Sequence, residues 1–79
     1  MDKKEIARRL IALRNGRPRA DVARAVGVSV SAMGMYENAS RIPQDEVKIR
    51  LARYYGVTVQ ELFYGDEKAR RMAGGEVRG

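Results

Sequence analysis

The chain has neither cysteine nor histidine among its 79 residues. Without cysteine, no disulfide and no thiolate-bound metal can stabilise the fold, and the composition is compatible with a reducing cytoplasm. The two absences together remove the commonest nucleophile, the commonest general base and the commonest zinc ligands. We therefore expect a protein that is not an enzyme and that holds no metal and no cofactor.

Long apolar runs are also missing from the chain. No stretch approaches the ~20 apolar residues of a membrane-spanning helix, and the amino-terminal residues include no apolar stretch of the signal-peptide kind. We expect a soluble, cytoplasmic protein. At this length it forms one domain with a single core, which is too small to enclose a deep substrate cavity.

Basic residues outnumber acidic ones. Sixteen Lys and Arg against ten Asp and Glu give a net charge of +6 and a pI of about 10.2. This balance favours a polyanionic partner but does not distinguish DNA from RNA or an acidic membrane surface. Basic residues crowd the first predicted helix and its exit, at Lys3, Lys4, Arg8, Arg9, Arg14, Arg17 and Arg19. The centre of the chain is nearly neutral, since Arg24 and Glu37 are its only charged residues between Val22 and Ser40.

The spacing of apolar and capping residues predicts five short helices and no strand. Asp2 and Glu5 fit a capping box at the start of the first helix, which ends at residues 15–16. One face of this helix carries apolar residues at helical spacing, at Ile6, Leu10 and Leu13. The first helix is therefore predicted to pack against a core along this face.

Residues 19–38 have the pattern of a helix-turn-helix, in which the second helix lies in a DNA groove. Pro18 suits the first turn of the second predicted helix, and Gly27 can adopt the positive φ needed between the two helices. Ser29 is a candidate N-cap for the third helix, which is predicted to run to about Glu37. The apolar residues that two crossing helices need are Ala23, Val26, Val28, Met33 and Tyr36.

Two further helices are predicted after the helix-turn-helix. Pro43 can begin the fourth helix, and Gly56 can end it. Thr58 and Glu61 form a second capping-box pattern, which opens a short fifth helix. From residue 66 the chain is charged and then glycine-rich, so we expect one domain over residues 1–65 and a frayed or disordered tail over residues 66–79.

The ordered set of motifs resembles the phage repressor and Cro-like helix-turn-helix family over roughly residues 3–64. That family reads Gln-x-x-Leu-Ala, then Gly-Val-Ser, then an aromatic residue followed by Glu, and soon after Ile-Pro. The matching segments here are Val22-Ala23, Gly27-Val28-Ser29, Tyr36-Glu37-Asn38, Arg41-Ile42-Pro43, Leu51-Ala52, Gly56-Val57-Thr58 and Glu61-Leu62-Phe63. The resemblance implies an all-α bundle of five short helices with the lambda-repressor-like fold.

The chain departs from the family pattern at three places. Arg19 stands where the first motif helix usually begins with Gln, and Ala39 replaces the Gly that commonly follows the motif's Asn. The Asn15-Gly16 turn is also shorter than the usual connection. The first two departures lie at the expected DNA-facing edge.

The outer face of the third helix is the candidate base-reading surface, because the major groove admits one helix and shows a distinct edge for each base pair. Four residues should face the bases by position, namely Val30, Ser31, Ala32 and Met35. Ser31 can hydrogen-bond to several bases, while the other three can only pack, most favourably on a thymine methyl. The alternative is that this face packs against another protein.

Phosphate contacts are expected from the rim of this surface. Arg19 lies at the start of the second helix, where the macrodipole and free N–H groups already favour a phosphate oxygen. The resemblance adds Asn38, Ser40 and Arg41, and Arg17 is a candidate by proximity. For each of these side chains the alternative is an ordinary solvated surface group.

Glu37 would repel phosphate unless it were paired. The family pattern implies an ion pair with an arginine at the end of the first helix, and Arg14 is the candidate. Such a pair would position the third helix more than it would add net stability, because a buried pair barely offsets its desolvation.

The resemblance implies a sequence-specific double-stranded DNA-binding transcription regulator, a repressor acting as a homodimer on a two-fold related operator. The candidate dimer surface is an aromatic and apolar cluster that could instead be core, formed by Tyr54, Tyr55, Val59, Phe63 and Tyr64. Two alternatives stay open: an antitoxin-like protein-interaction module with the same fold, and a non-specific nucleic-acid-binding domain.

Overall fold

The structure is a computed structural model that describes residues 2–65. This part of the chain forms five helices. They are α1 (Lys3–Arg14), α2 (Arg19–Val26), α3 (Val30–Glu37), α4 (Asp45–Tyr55) and α5 over residues 59–65. No strand occurs within this range. The predicted all-α, five-helix fold is confirmed, while the predicted tail at residues 66–79 lies outside the described residues.

Local capping explains where α1 and α5 begin. The Asp2 carboxylate accepts hydrogen bonds from the backbone N–H groups of Lys4 (3.0 Å) and Glu5 (3.4 Å). At α5 the capping box is reciprocal, because the Glu61 carboxylate accepts from the Thr58 N–H and the Thr58 hydroxyl accepts from the Glu61 N–H, both at 2.9 Å. Each bond satisfies an N–H group that has no partner inside its helix.

The turn between α2 and α3 follows the predicted pattern. Gly27 ends α2 with a φ of +83°, a conformation that glycine adopts at little steric cost. The Ser29 hydroxyl accepts a hydrogen bond from the Ala32 N–H at 3.0 Å and so caps α3. From α4, Arg50 donates to the carbonyl of Val26 at 3.3 Å, which places a cation at the negative end of the α2 dipole.

Both predicted helix-starting prolines lie outside their helices. Pro18 is the N-cap of α2, with an extended ψ of 134°. α4 begins at Asp45 rather than Pro43, because Gln44 is still extended and its carbonyl accepts the first helical bond, from the Lys48 N–H at 2.9 Å. One residue, Gln44, thus separates Pro43 from the helix that it was predicted to begin.

The core lies between all five helices. It consists of Ile6, Leu10, Val22, Ala23, Val26, Met33, Tyr36, Leu51, Ala52, Leu62 and Phe63. α3 packs against α1 and α2, and α2 also packs against α4. One side of α3 is therefore fixed by the core, and its opposite side is left at the surface.

The aromatic cluster that is the candidate dimer surface lies partly in the core and partly at its edge. Phe63 is fully buried, and Tyr54, Tyr55, Val59 and Tyr64 pack against the core while partly buried. Four of the five side chains therefore keep some exposed surface, and the dimer surface stays a prediction. Along residues 2–65, no helix is long and apolar enough to cross a membrane.

Candidate nucleic-acid interface

The outward side of α3 carries three of the predicted base-facing residues. Val30 is 48% exposed, Ser31 is exposed and Met35 is half-buried. Met33 and Tyr36 hold the opposite side of the helix in the core. The surface that results is mostly apolar, with the Ser31 hydroxyl as its side-chain hydrogen-bonding group.

Ala32 differs from the other predicted base-facing residues. It is half-buried and packs against the core, because its position on the helix lies between the outward side and the buried side. Ala32 is therefore less exposed than Val30 and Ser31, and its contact with DNA bases stays a prediction.

A buried carboxylate lies at the end of α3. The Glu37 side chain is only 2% exposed, and it accepts hydrogen bonds from two arginines. The Arg14 guanidinium donates to both carboxylate oxygens, from Nε at 2.8 Å and from Nη2 at 3.0 Å. The Arg19 Nε donates to Glu37 Oε1 at 3.0 Å. The structure thus places the two residues of the predicted ion pair in contact and adds a second cation.

This cluster of Arg14, Arg19 and Glu37 joins three helices. Arg14 is the last residue of α1, Arg19 the first of α2 and Glu37 the last of α3. The hydrogen bond to Glu37 raises the pKa of Arg14 and outweighs the lowering that burial alone would cause. Charge-assisted and bidentate bonds of this kind have strict geometry, so the cluster fixes the end of α3 relative to the start of α2.

Arg19 keeps part of its guanidinium available. Its side chain is 43% exposed although Nε is bonded to Glu37. Its Nη1 atom lies beside α3, 3.7 Å from the point where a Cβ atom on Gly34 would be. The bond from Arg19 to Glu37 was not predicted, and sequence spacing does not indicate it, since Asp21 is nearer to Arg19 along the chain.

Arg17 has other partners. Its guanidinium donates to the carbonyls of Leu13 (3.0 Å) and Arg14 (3.2 Å) and to the hydroxyl of Tyr54 (3.2 Å). It also lies over the rings of Tyr54 and Tyr55, 5.4 and 5.5 Å from their centroids. These contacts direct the side chain toward the end of α4, so the structure gives Arg17 a bracing role that the phosphate prediction did not anticipate.

The Tyr55 hydroxyl is buried close to this site. It has no hydrogen-bond partner within the described part of the chain. Burial, followed by the negative charge of Glu37, raises the pKa of Tyr55 above its ordinary value. An unpaired buried hydroxyl of this kind costs stability.

The loop after α3 carries the remaining predicted phosphate contacts. Asn38 Oδ1 accepts from the Ser40 N–H at 2.9 Å and from the Ser40 hydroxyl. The N–H groups of Ser40 and Arg41 also donate to the Met35 carbonyl, at 3.0 and 3.2 Å. Ala39, between Asn38 and Ser40, has a φ of +67°, in the left-handed region that favours glycine. Asn38, Ser40 and Arg41 are all exposed just after the end of α3.

The described residues offer no alternative metal-binding site. Residues 2–65 include no group of three or more acidic, histidine or cysteine side chains that could hold a metal ion.

An apolar cleft of about 290 Å³ lies between α1 and α5, lined by Arg9, Ala12, Leu13, Val57, Glu61 and Leu62. None of these residues belongs to α2 or α3, so the cleft is separate from the helix-turn-helix.

Comparison with known proteins identifies the family. No curated protein and no solved structure matches the chain. The family model described as helix-turn-helix domain matches residues 5–62, a range that includes α1 to α4 and the start of α5. A helix-turn-helix domain supports DNA as the partner of this protein. The chain belongs to the helix-turn-helix domain family.

Proposed function

We propose that this protein is a sequence-specific double-stranded DNA-binding transcription regulator, a repressor of the phage repressor and Cro-like kind, that places α3 in the major groove. The observation that carries the proposal is the two-sided character of α3. Met33 and Tyr36 anchor one side in the core, while Val30 and Ser31 extend from the other. A helix held in this way can enter a groove without disturbing the fold.

Base recognition in this proposal is mainly by packing. Val30 and Met35 offer apolar surface that suits a thymine methyl, and Ser31 offers one hydroxyl that can pair with several bases. Bidentate hydrogen bonds from Gln, Asn or Arg, which provide strong discrimination, are not available from these three side chains. We therefore expect modest discrimination per half-site, with a preference for A·T pairs beneath Val30 and Met35.

Phosphate contacts flank the reading face. Arg19 meets the backbone at the start of α2, and Asn38, Ser40 and Arg41 meet it after the end of α3. We leave Arg17 outside this set, because its guanidinium is engaged by Tyr54 and by two backbone carbonyls. Phosphate contacts from these two segments of the chain would set the register of α3 on the duplex.

We further propose that the protein acts as a cytoplasmic homodimer. One recognition helix spans only a few base pairs, so a second copy about one helical turn away, ~34 Å along the duplex, multiplies the discrimination of each half. Two-fold symmetry of the dimer would then require an inverted repeat in the operator. Helix-turn-helix domains are typically non-enzymatic, and we propose no reaction for this protein.

Selection of bound duplexes from a randomised DNA pool at near-physiological salt tests the proposal. An enriched inverted repeat with half-sites about one turn apart would support a dimeric operator reader. Salt-sensitive binding without enrichment would contradict sequence-specific reading and indicate a non-specific nucleic-acid-binding domain. No binding to any duplex would overturn the proposal in favour of an antitoxin-like or other protein-interaction module.

A further inference from the structure

Arg19 is held by two features of α3 at once. Arg19 Nε donates a hydrogen bond to Glu37 Oε1 at 3.0 Å. Gly34 has no side chain, and Arg19 Nη1 lies beside the space that a side chain there would occupy. Glu37 is itself held by the bidentate contact with Arg14. The guanidinium therefore has a defined position and orientation before any ligand binds.

We propose that Gly34 and Glu37 are positioning residues that hold the Arg19 guanidinium against α3, so that its Nη groups meet a DNA phosphate already oriented. The proposal rests on the DNA-binding function proposed above. An arginine on the surface normally loses rotamer freedom when it binds a phosphate, and a side chain that is already fixed loses less. The same bond orients the fork, because a guanidinium is planar and Nε fixes its plane.

Gly34 makes the proposal testable because its neighbours define what each substitution should do. A Cβ atom at this position would lie 3.7 Å from Arg19 Nη1, which is ordinary van der Waals contact. Gly34→Ala should therefore leave Arg19 in place and also favour the helix, since alanine has a higher helix propensity than glycine. The branched end of a leucine side chain would extend into the space beside Nη1, so Gly34→Leu should displace the guanidinium.

The first measurement follows Arg19 without DNA. In proton–nitrogen correlation spectra of the full chain, the Arg19 Nε–H resonance should be protected from exchange in the wild type and in Gly34→Ala. Gly34→Leu should lose that protection while its backbone resonances stay dispersed as in a folded protein. Equal protection in the leucine variant would overturn the role proposed for Gly34.

The second measurement uses DNA binding in a double-mutant cycle with Arg19→Ala. Loss of one phosphate contact reduces the magnitude of the slope of log affinity against log salt by about 0.9. At 0.15 M salt this change corresponds to about a fivefold loss of affinity. Gly34→Leu should show this loss in the wild-type background and no further loss when combined with Arg19→Ala. Gly34→Ala should bind as the wild type does.

The two measurements distinguish failure of the proposed DNA-binding function from failure of the positioning role of Gly34. If the wild type binds no duplex, the proposed function fails, and the exchange measurement alone decides whether Gly34 positions Arg19. If the wild type binds but Gly34→Leu weakens binding equally in both backgrounds, the leucine acts by direct contact with DNA and the positioning role is refuted. An unchanged salt slope in Arg19→Ala would remove Arg19 from the phosphate contacts.

Discussion

The buried Glu37 carboxylate should be the most sensitive polar group in the fold. Glu37→Gln keeps the size of the side chain but removes its charge, while Arg14 and Arg19 remain beside it. Three hydrogen bonds at 2.8, 3.0 and 3.0 Å depend on that charge. The amide retains one acceptor oxygen, but its NH₂ group would face guanidinium donors.

The expected loss follows from the burial of the carboxylate. Removing one partner of a buried ion pair costs about 3–5 kcal/mol, since the remaining charge keeps its desolvation penalty without compensation. Glu37 is 2% exposed, but Arg14 and Arg19 are 18% and 43% exposed, so water can partly rehydrate their guanidinium groups. We therefore expect a loss near the lower end, about 3 kcal/mol, which corresponds to roughly 12–24 °C in Tm for a domain of this size.

Thermal unfolding followed by circular dichroism measures this loss directly. Asp21→Asn is the matched control, because Asp21 pairs with Arg24 at 3.6 Å on the surface, where both side chains are largely exposed. Breaking that pair should change stability by no more than about 0.5 kcal/mol. If Glu37→Gln unfolds within the same narrow range as Asp21→Asn, the cluster does not hold the three helices together and the reasoning is refuted.

Two other substitutions test local features near the site. Ala39→Gly should raise the free energy of unfolding by roughly 0.5–1 kcal/mol, because a φ of +67° costs an alanine about 1–2 kcal/mol and the extra backbone entropy of glycine offsets part of the gain. Tyr55→Phe should leave stability unchanged or raise it by about 1 kcal/mol, since the hydroxyl that it removes is buried and unpaired. The raised pKa of Tyr55 also predicts that its contribution to stability is constant below about pH 10 and is lost as the pH rises further, because the unfolded chain releases the phenolic proton first. The alkaline loss of stability should therefore be shallower in Tyr55→Phe than in the wild type.

Urea unfolding provides the measurement for both variants, and each has a control in the chain. Asn15→Gly should gain less than Ala39→Gly, because asparagine tolerates its φ of +50° better than alanine tolerates +67°. Tyr54→Phe should lose stability at neutral pH, since it removes the acceptor for Arg17. An equal gain at residues 15 and 39, or a loss in Tyr55→Phe as large as that in Tyr54→Phe, would contradict the structural explanation.

The helix boundaries were predictable because their determinants are local. Asp2, Gly27, Ser29 and the pair of Thr58 and Glu61 each act within a few residues of the chain, so their spacing alone indicates where a helix starts or ends. The prolines show the limit of this reasoning. A proline's fixed φ is compatible with a helix start, but φ alone does not decide whether the following peptide turns into the helix.

The details of the site depended on contacts between distant segments. The bond from Arg19 to Glu37 spans 18 residues, and the contact of Arg17 with Tyr54 spans 37. Each of these depends on the angle at which two helices pack, which the sequence pattern does not specify. Ala32 shows a similar limit within one helix. It lies at the border between the buried and exposed faces of α3, and its partial burial depends on packing against the core, which helical spacing does not specify.

The most direct test of the account compares the DNA preferences of the wild type and Met35→Ala by selection from the same randomised pool at near-physiological salt. If α3 reads the major groove, the wild type should enrich an inverted repeat, and the variant should relax the preference at a few base pairs in each half-site while its Tm stays close to that of the wild type. An identical preference in the two proteins, or a uniform loss of affinity for every sequence, would contradict a reading role for this face of α3.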